Sequence, residues 1–168
     1  MKKYEEPLFI DVRQNYPKDE DAKILEIEIR RLSTEQPFAV IATQGREFTD
    51  ASLISFATSL DLKNIVFATP INTGKFDLIA GNENVSILVD DRSLQQEKIN
   101  QISALTITGK ARILSDENEI INWAGLLKEK HPNLSAFIDA PTTAVIIVKV
   151  VRYLYVKKFQ EVWEWDPS

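Results

Sequence analysis

The 168-residue sequence contains no cysteine and a single histidine, His131. The absence of cysteine excludes disulfides, thiolate-ligated metals, iron–sulfur clusters and thiol catalysis. It also fits a reducing compartment, so we expect a cytoplasmic protein. One histidine leaves no pair of imidazoles to hold a metal within one subunit, and we therefore expect no metal site.

Basic charge and long apolar runs are also scarce. The 20 Lys and Arg residues are outnumbered by 25 Asp and Glu residues, which gives a net charge of −5. Proteins that bind nucleic acid usually carry a basic face, so we expect no nucleic-acid partner. The most apolar run, residues 144–148, ends at Lys149 and is too short to cross a bilayer. The charged first eleven residues lack the apolar core of a signal peptide, and we expect no membrane partner.

What the sequence does contain is a series of strand patterns with few helices between them. We expect one domain over residues 1–168, with an irregular arm at 1–18 and an aromatic tail at 159–168. Apolar periodicity predicts helices at 19–34 and 117–130 and a short helical piece at 133–140. Six principal strands are predicted, at residues 38–43, 49–58, 64–68, 85–89, 103–114 and 142–156.

The length of the last two strands indicates how the sheet is arranged. They have about 12 to 15 residues, against a typical ~5–6. A straight strand of that length would run about 45–50 Å, too long for a flat sheet in a domain of this size. Such a strand must curl, and a closed barrel is the usual result. Gly109, in the middle of its strand, is where we expect a bend or bulge.

The stretch between the third and fourth strands is the strongest candidate for a ligand site. Thr73 is a suitable N-cap for a short helix, whose first N–H groups favour a phosphate. Lys75 adds a positive charge in the first turn, which is locally unfavourable unless an anion lies nearby. Thr69 and Asn72 can donate to the same anion. The alternative is an ordinary strand–helix–strand connection with a solvated lysine.

The order of these features resembles the FMN-binding split β-barrel family, the pyridoxamine 5′-phosphate oxidase-like group. That family has a strand ending in Phe-x-Thr, a Thr, Ser or Asn-rich turn, a Lys opening a short helix, and a later Gly-x-Ala strand. Here these motifs include Phe67, Thr69, Thr73, Lys75 and Gly109. The resemblance covers roughly residues 35–156. It implies an α+β, mainly β fold: a six-stranded antiparallel split β-barrel of Greek-key type with flanking helices.

The resemblance also implies a cofactor and an assembly. It implies an FMN-dependent oxidoreductase that forms a homodimer with the flavin at the subunit interface and acts on a small-molecule substrate. Carried over to this sequence, Thr73 and Lys75 would bind the phosphate, with Thr69 and Asn72 beside them. Ser55 and Phe56 would lie along the flavin ring.

The sequence departs from the family in three places. The phosphate turn has one lysine and no arginine, and the tail FQEVWEWDPS lacks the Arg-Leu-x-Pro signature of pyridoxal-forming enzymes. The histidine used near the C-terminus by the haem-handling branch is absent.

The alternative functions are a non-catalytic flavin-binding or sensing protein, a deazaflavin-using reductase, and a barrel that has lost its cofactor. No side chain is predicted to act as a catalytic acid or base. We expect the aromatic tail to dock, either on its own barrel or on the partner's cofactor rim.

Overall fold

The structure, a computed structural model, describes residues 19–94, 101–157 and 161–167. The predicted arm at 1–18 lies outside the described residues, as do 95–100 in the polar segment between the fourth and fifth strands. The elements follow in the order α1 (Asp19–Glu35), β1 (Phe38–Gln44), β2 (Thr49–Thr58), β3 (Asn64–Pro70), α2 (Gly74–Gly81), β4 (Asn84–Asp90), β5 (Ser103–Ile113), α3 (Glu117–Lys130), α4 (Ser135–Ile138), β6 (Thr143–Lys157) and β7 (Glu161–Trp165). A 3₁₀ turn, Pro132–Leu134, precedes α4.

Six of the strands close into an antiparallel barrel. Their order around the sheet is β3-β2-β1-β4-β5-β6, and β3 also pairs with β6 to complete the ring. The predicted six-stranded antiparallel barrel with flanking helices is therefore confirmed. The one difference is β7, a seventh strand formed by the tail, which pairs with the far end of β6.

The 15-residue strand β6 explains why the barrel needs an extra strand. Its first half pairs with β3, from Thr143 opposite Pro70 to Lys149 opposite Asn64. Its second half runs beyond β3, and there β7 takes the vacant edge. Paired edges are protected from association with other chains, which gives the tail a physical reason to order.

The predicted bulge at Gly109 is confirmed. The register between β5 and β6 shifts between Thr108 and Gly109. A Cβ at Gly109 would lie 2.6 Å from the carbonyl oxygen of Lys149 and 2.6 Å from Cγ1 of Val148. Only glycine fits this close approach of two strands, and the bulge provides the bend that the long strands need.

Apolar side chains fill the barrel and also cover part of its outer surface. The interior cluster includes Ile41, Phe56, Phe67, Ile107 and Tyr153, and α1 closes one end with Leu25, Ile29 and Leu32. On the outside, α3 packs Ala124 and Leu127 against Val66, Val145 and Ile147. Strands β3 and β6 are therefore apolar on both faces because both faces are covered.

The aromatic tail docks on its own barrel, which is one of the two arrangements predicted from the sequence. Trp163 and Trp165 are both partly buried and pack against the interior cluster. The ring centroids of Trp165 and Tyr153 are 5.6 Å apart, within the range of a favourable aromatic pair.

Candidate functional site

The turn between β3 and α2 is held by two threonine hydroxyls. Thr73 is the N-cap of α2, as predicted: its Oγ1 accepts from the backbone N–H of Phe76 at 3.4 Å. The same hydroxyl donates to the carbonyl of Pro70 at 2.9 Å. The Oγ1 atoms of Thr69 and Thr73 lie 3.2 Å apart, so the end of β3 and the start of α2 present their hydroxyls together.

Lys75 lies in the first turn of α2 and points back across the sheet. Its Nζ donates to the carbonyl oxygen of Leu53 in β2 at 3.2 Å. Partial burial lowers the pKa of the Lys75 ammonium below its usual range. Among the described residues no carboxylate pairs with this lysine, so its charge is available to an anion.

Lys75 lies at the edge of a cavity of about 250 Å³. The polar part of the lining comes from Ser55, Thr69 and Lys75. The remaining lining residues are apolar, and they are Leu53, Ile54, Ala68, Pro70, Leu127, Leu134, Phe137 and Ile138. The cavity is thus amphipathic, with one cation and a mostly hydrocarbon and aromatic lining.

The structure brings together four of the six predicted site residues. Ser55, Thr69 and Lys75 line the cavity, and Thr73 adjoins it through Thr69. Asn72 is exposed in the turn before α2 and does not line this cavity.

Phe56, the sixth predicted residue, lies apart from the cavity. Its side chain is fully buried in the barrel. Its carbonyl is 2.9 Å from Nε2 of His131. A carbonyl oxygen only accepts, so Nε2 of His131 carries the proton in this contact. The assignment of the six residues to a ligand site remains a prediction.

The apolar side of the cavity was not found from the sequence. Three of its eight apolar lining residues come from the wall segment, residues 132–142, which connects α3 to β6; they are Leu134, Phe137 and Ile138. The only sequence signal was a short helical pattern at 133–140. That pattern gives no indication of which strands the segment will cover, because the contact depends on long-range packing.

A second feature that the sequence did not indicate is the clamp at Lys130. Its Nζ donates to the carbonyl of Ser33 at 2.6 Å and to that of Gln36 at 2.8 Å, at the end of α1. The same ammonium lies 3.9 Å from the centroid of the Phe56 ring. Burial lowers the pKa of Lys130 to about 8. Free carbonyls at a helix C-terminus favour a cation, so Lys130 ties α3 to the end of α1.

The sequence was also compared with known protein families. The profile described as pyridoxamine 5′-phosphate oxidase matches residues 25–157, which is most of the chain and includes all six barrel strands. The chain belongs to this family. No curated protein sequence matches the chain significantly.

Solved structures share the fold at low sequence identity. A protein related to general stress protein 26, of the pyridoxinephosphate oxidase family, from Clostridium acetobutylicum superposes with a TM-score of 0.67 at 17% identity, covering 87% of this chain and 96% of its own. An FAD-binding protein from Mesorhizobium loti gives 0.62 at 10% identity, covering 77% and 91%.

A haem protein has the same fold. The heme binding protein from Mycobacterium smegmatis gives a TM-score of 0.73 at 16% identity, covering 83% of this chain. The chain spans 57% of that protein's length. At these identities the likeness concerns the fold alone.

Two further structural findings concern metal binding and membrane spanning. Across 19–94, 101–157 and 161–167, no group of three or more metal-binding side chains is close enough to hold an ion. No helix in these same ranges is long and apolar enough to cross a membrane.

Proposed function

We propose that this family member binds FMN and is an oxidoreductase acting on a small-molecule substrate, as a homodimer with the flavin at the subunit interface. The observation that carries the proposal is Lys75, an ammonium without a carboxylate partner in the described part of the chain, at the edge of an otherwise mostly apolar cavity. A flavin mononucleotide has the same polarity, with a dianionic phosphate at one end and a flat ring at the other.

The phosphate end is supported by the chemistry of the donors. Lys75 supplies a full positive charge, and the hydroxyls of Thr69 and Thr73 lie at the same edge. Charge-assisted hydrogen bonds of this kind are about twice as strong as neutral ones. An anion there would also relieve the unfavourable placement of a lysine in the first turn of a helix.

The residues fit a flavin better than a haem. A protein-bound haem iron needs an axial ligand, commonly His or Cys. The sequence has no cysteine, and its one histidine, His131, is 7% exposed with Nε2 held at the Phe56 carbonyl. Freeing that imidazole would break its buried hydrogen bond to the Phe56 carbonyl, at a cost of about 0.5–1.5 kcal/mol.

The assembly is supported by an apolar surface on the outer face of the barrel. Val40 of β1 pairs with Leu53 of β2 on one side and with Leu88 of β4 on the other. Leu53 is 64% exposed, Leu88 38% and the nearby Phe38 53%. Contiguous apolar surfaces of this kind mark association sites, and a twofold dimer buries the same patch on both subunits. Since Leu53 also lines the Lys75 cavity, such a dimer would bring the partner to the cavity's rim.

The role of this chain would be to bind and orient the cofactor. Flavin supplies the hydride or electron chemistry when bound, so no protein acid or base is required. Lys75 would bind the phosphate, and the hydroxyl of Thr69 would turn from Thr73 to donate to it. The apolar walls would exclude water from the ring and thereby influence its redox potential.

The phosphate assignment is tested by titrating purified protein with FMN and with riboflavin, which lacks the phosphate. Lys75→Ala removes one charge-assisted hydrogen bond worth about 1.5–3 kcal/mol, so FMN should bind roughly 10- to 150-fold more weakly. Riboflavin affinity should change little. Lys23→Ala, at an exposed lysine of α1, is the matched control. Equal losses for both ligands would show that Lys75 does not bind the phosphate.

The alternatives are separated by spectra of the same protein. A colourless protein that takes up neither flavin nor deazaflavin would indicate a barrel that has lost its cofactor. Preferential uptake of a deazaflavin would favour the reductase that uses it. Bleaching of bound FMN by NAD(P)H under anaerobic conditions supports the oxidoreductase. Bound FMN that no reductant in a panel of physiological donors bleaches would favour a sensing protein.

A further inference from the structure

The apolar part of the lining of the Lys75 cavity has its own chemistry. Three of its residues, Leu134, Phe137 and Ile138, come from the wall segment and not from the barrel. Ile138 is 4% exposed and belongs to the cluster under α3, whereas Phe137 is 38% exposed and lines the cavity. Phe137 therefore presents a partly solvated aromatic surface to the same cavity that Lys75 lines.

The wall segment is held in place at several points, so this surface is formed before any ligand arrives. Lys128 of α3 and Asp139 pair with an Nζ–O distance of 2.7 Å. The carbonyl of Thr142 accepts from the N–H of Ile71 at 2.9 Å, joining the end of the segment to the turn before α2. At its start, the contact of His131 with Phe56 fixes the segment to β2. A preformed surface binds without the entropy cost of ordering itself.

We propose that Phe137 is a binding residue for the ring system of the flavin, and that the wall segment selects a flat aromatic ring independently of the phosphate. This inference rests on the proposed FMN site and adds to it a residue with a different ligand preference. Phe137 would contact a face or edge of the ring, while Leu134 and Leu127 would cover the apolar surface beside it.

The two ends of the site make opposite predictions for the same pair of ligands. Lys75 distinguishes FMN from riboflavin, because only FMN carries the phosphate. Phe137 should not distinguish them, because the ring is common to both. Aromatic pairs contribute about 0.5–1.5 kcal/mol beyond area burial. Phe137→Ala should therefore weaken the binding of FMN and of riboflavin by the same factor, about 2- to 13-fold.

The experiment is a fluorescence titration of the full chain with FMN and with riboflavin. The variants are Phe137→Ala, Phe137→Leu and Phe137→Trp, with melting curves to establish that each folds. Phe137→Leu keeps apolar volume and should lose less affinity than Phe137→Ala. In Phe137→Trp the indole would contact the ring, so the emission of bound flavin should fall. Ile121→Ala and Ile121→Trp, at a residue of α3 that is 68% exposed, are the controls.

The outcomes separate this inference from the proposed function. If wild-type protein binds neither ligand, both fail. If wild type binds and Phe137→Ala binds as tightly, the ring does not contact Phe137 and only the proposed function stands. If Phe137→Ala loses FMN but keeps riboflavin, the residue acts on the phosphate and the inference is wrong. Should Phe137→Ala fail to fold, unquenched bound flavin in Phe137→Trp would by itself overturn the placement.

Discussion

Replacing Gly109 with alanine should destabilise the barrel, although the change adds only one methyl group. The new Cβ would lie 2.6 Å from the backbone oxygen of Lys149, whereas ordinary contacts begin at 3.4 Å. The strands would have to separate by about 0.8 Å, the difference of those two distances. The nearest atom belongs to a strand of the closed barrel and cannot rotate away. No glycine has a positive φ in the described part of the chain, so the cost at Gly109 is steric alone.

Overpacking of this kind costs about 1–3 kcal/mol and occasionally more. Since the close atom is backbone, we expect the free energy of unfolding to fall by about 3 kcal/mol. For a domain of this size each kcal/mol corresponds to roughly 2–4 °C, so the melting temperature should fall by about 6–12 °C. Urea unfolding followed by tryptophan fluorescence provides the free energy at constant temperature.

The chain offers a matched control with the opposite sign. Gly125 lies in the middle of α3, is exposed, and would place its Cβ with nothing within 4 Å. Gly125→Ala should therefore stabilise the protein by about 0.5–1 kcal/mol, because alanine loses less backbone freedom in a helix. A Gly109→Ala protein that unfolds at the same urea concentration as wild type would refute the close approach at the bulge.

Three further predictions concern the clamp, the tail and the assembly. Burial lowers the pKa of Lys130 to about 8 from an ordinary 10.5. Between these two pH values the unfolded chain binds more protons than the folded chain. The stability of the wild type relative to that of Lys130→Met should therefore rise with pH. Urea unfolding at pH 7 and pH 9.5 tests this, and a difference that shrinks with pH would contradict it. Deleting residues 161–168 uncovers the buried Tyr153 and should lower the melting temperature. The tail tryptophans do not line the Lys75 cavity, so FMN release on dilution should keep its rate. Leu88→Glu should convert the proposed dimer into a 19.1 kDa monomer in sedimentation experiments. A wild-type protein that is already a monomer would contradict the proposal of a site at the subunit interface.

Much of the local structure follows from the sequence because its causes are local. Thr73 caps α2 through its own hydroxyl, and Asp116 caps α3 through its own carboxylate. The alternation in β5 puts Leu105, Ile107 and Ala111 inside, as a period of two requires. The length of β6 alone indicated a curled sheet, and the bulge falls at the mid-strand glycine.

The tertiary structure decided the features that depend on contacts distant in the chain. The pairing of β3 with β6 joins residues about 80 positions apart, and no local pattern records that partnership. The tail became β7 because β6 extends beyond β3 and leaves an edge to be paired. Phe56 belonged to the sequence-predicted site, yet its side chain lies in the core because the strand register turns it inward.

The cavity shows the same division. The sequence by itself determined its polar edge, because Thr69, Thr73 and Lys75 lie within one turn of chain and their chemistry is visible in their order. Part of its apolar lining comes from the wall segment about 60 residues later, which packs in one cluster with residues of β2, β3 and α3. A short polar motif can therefore be recognised from sequence, whereas the apolar surface that completes the cavity depends on the packing of the whole domain.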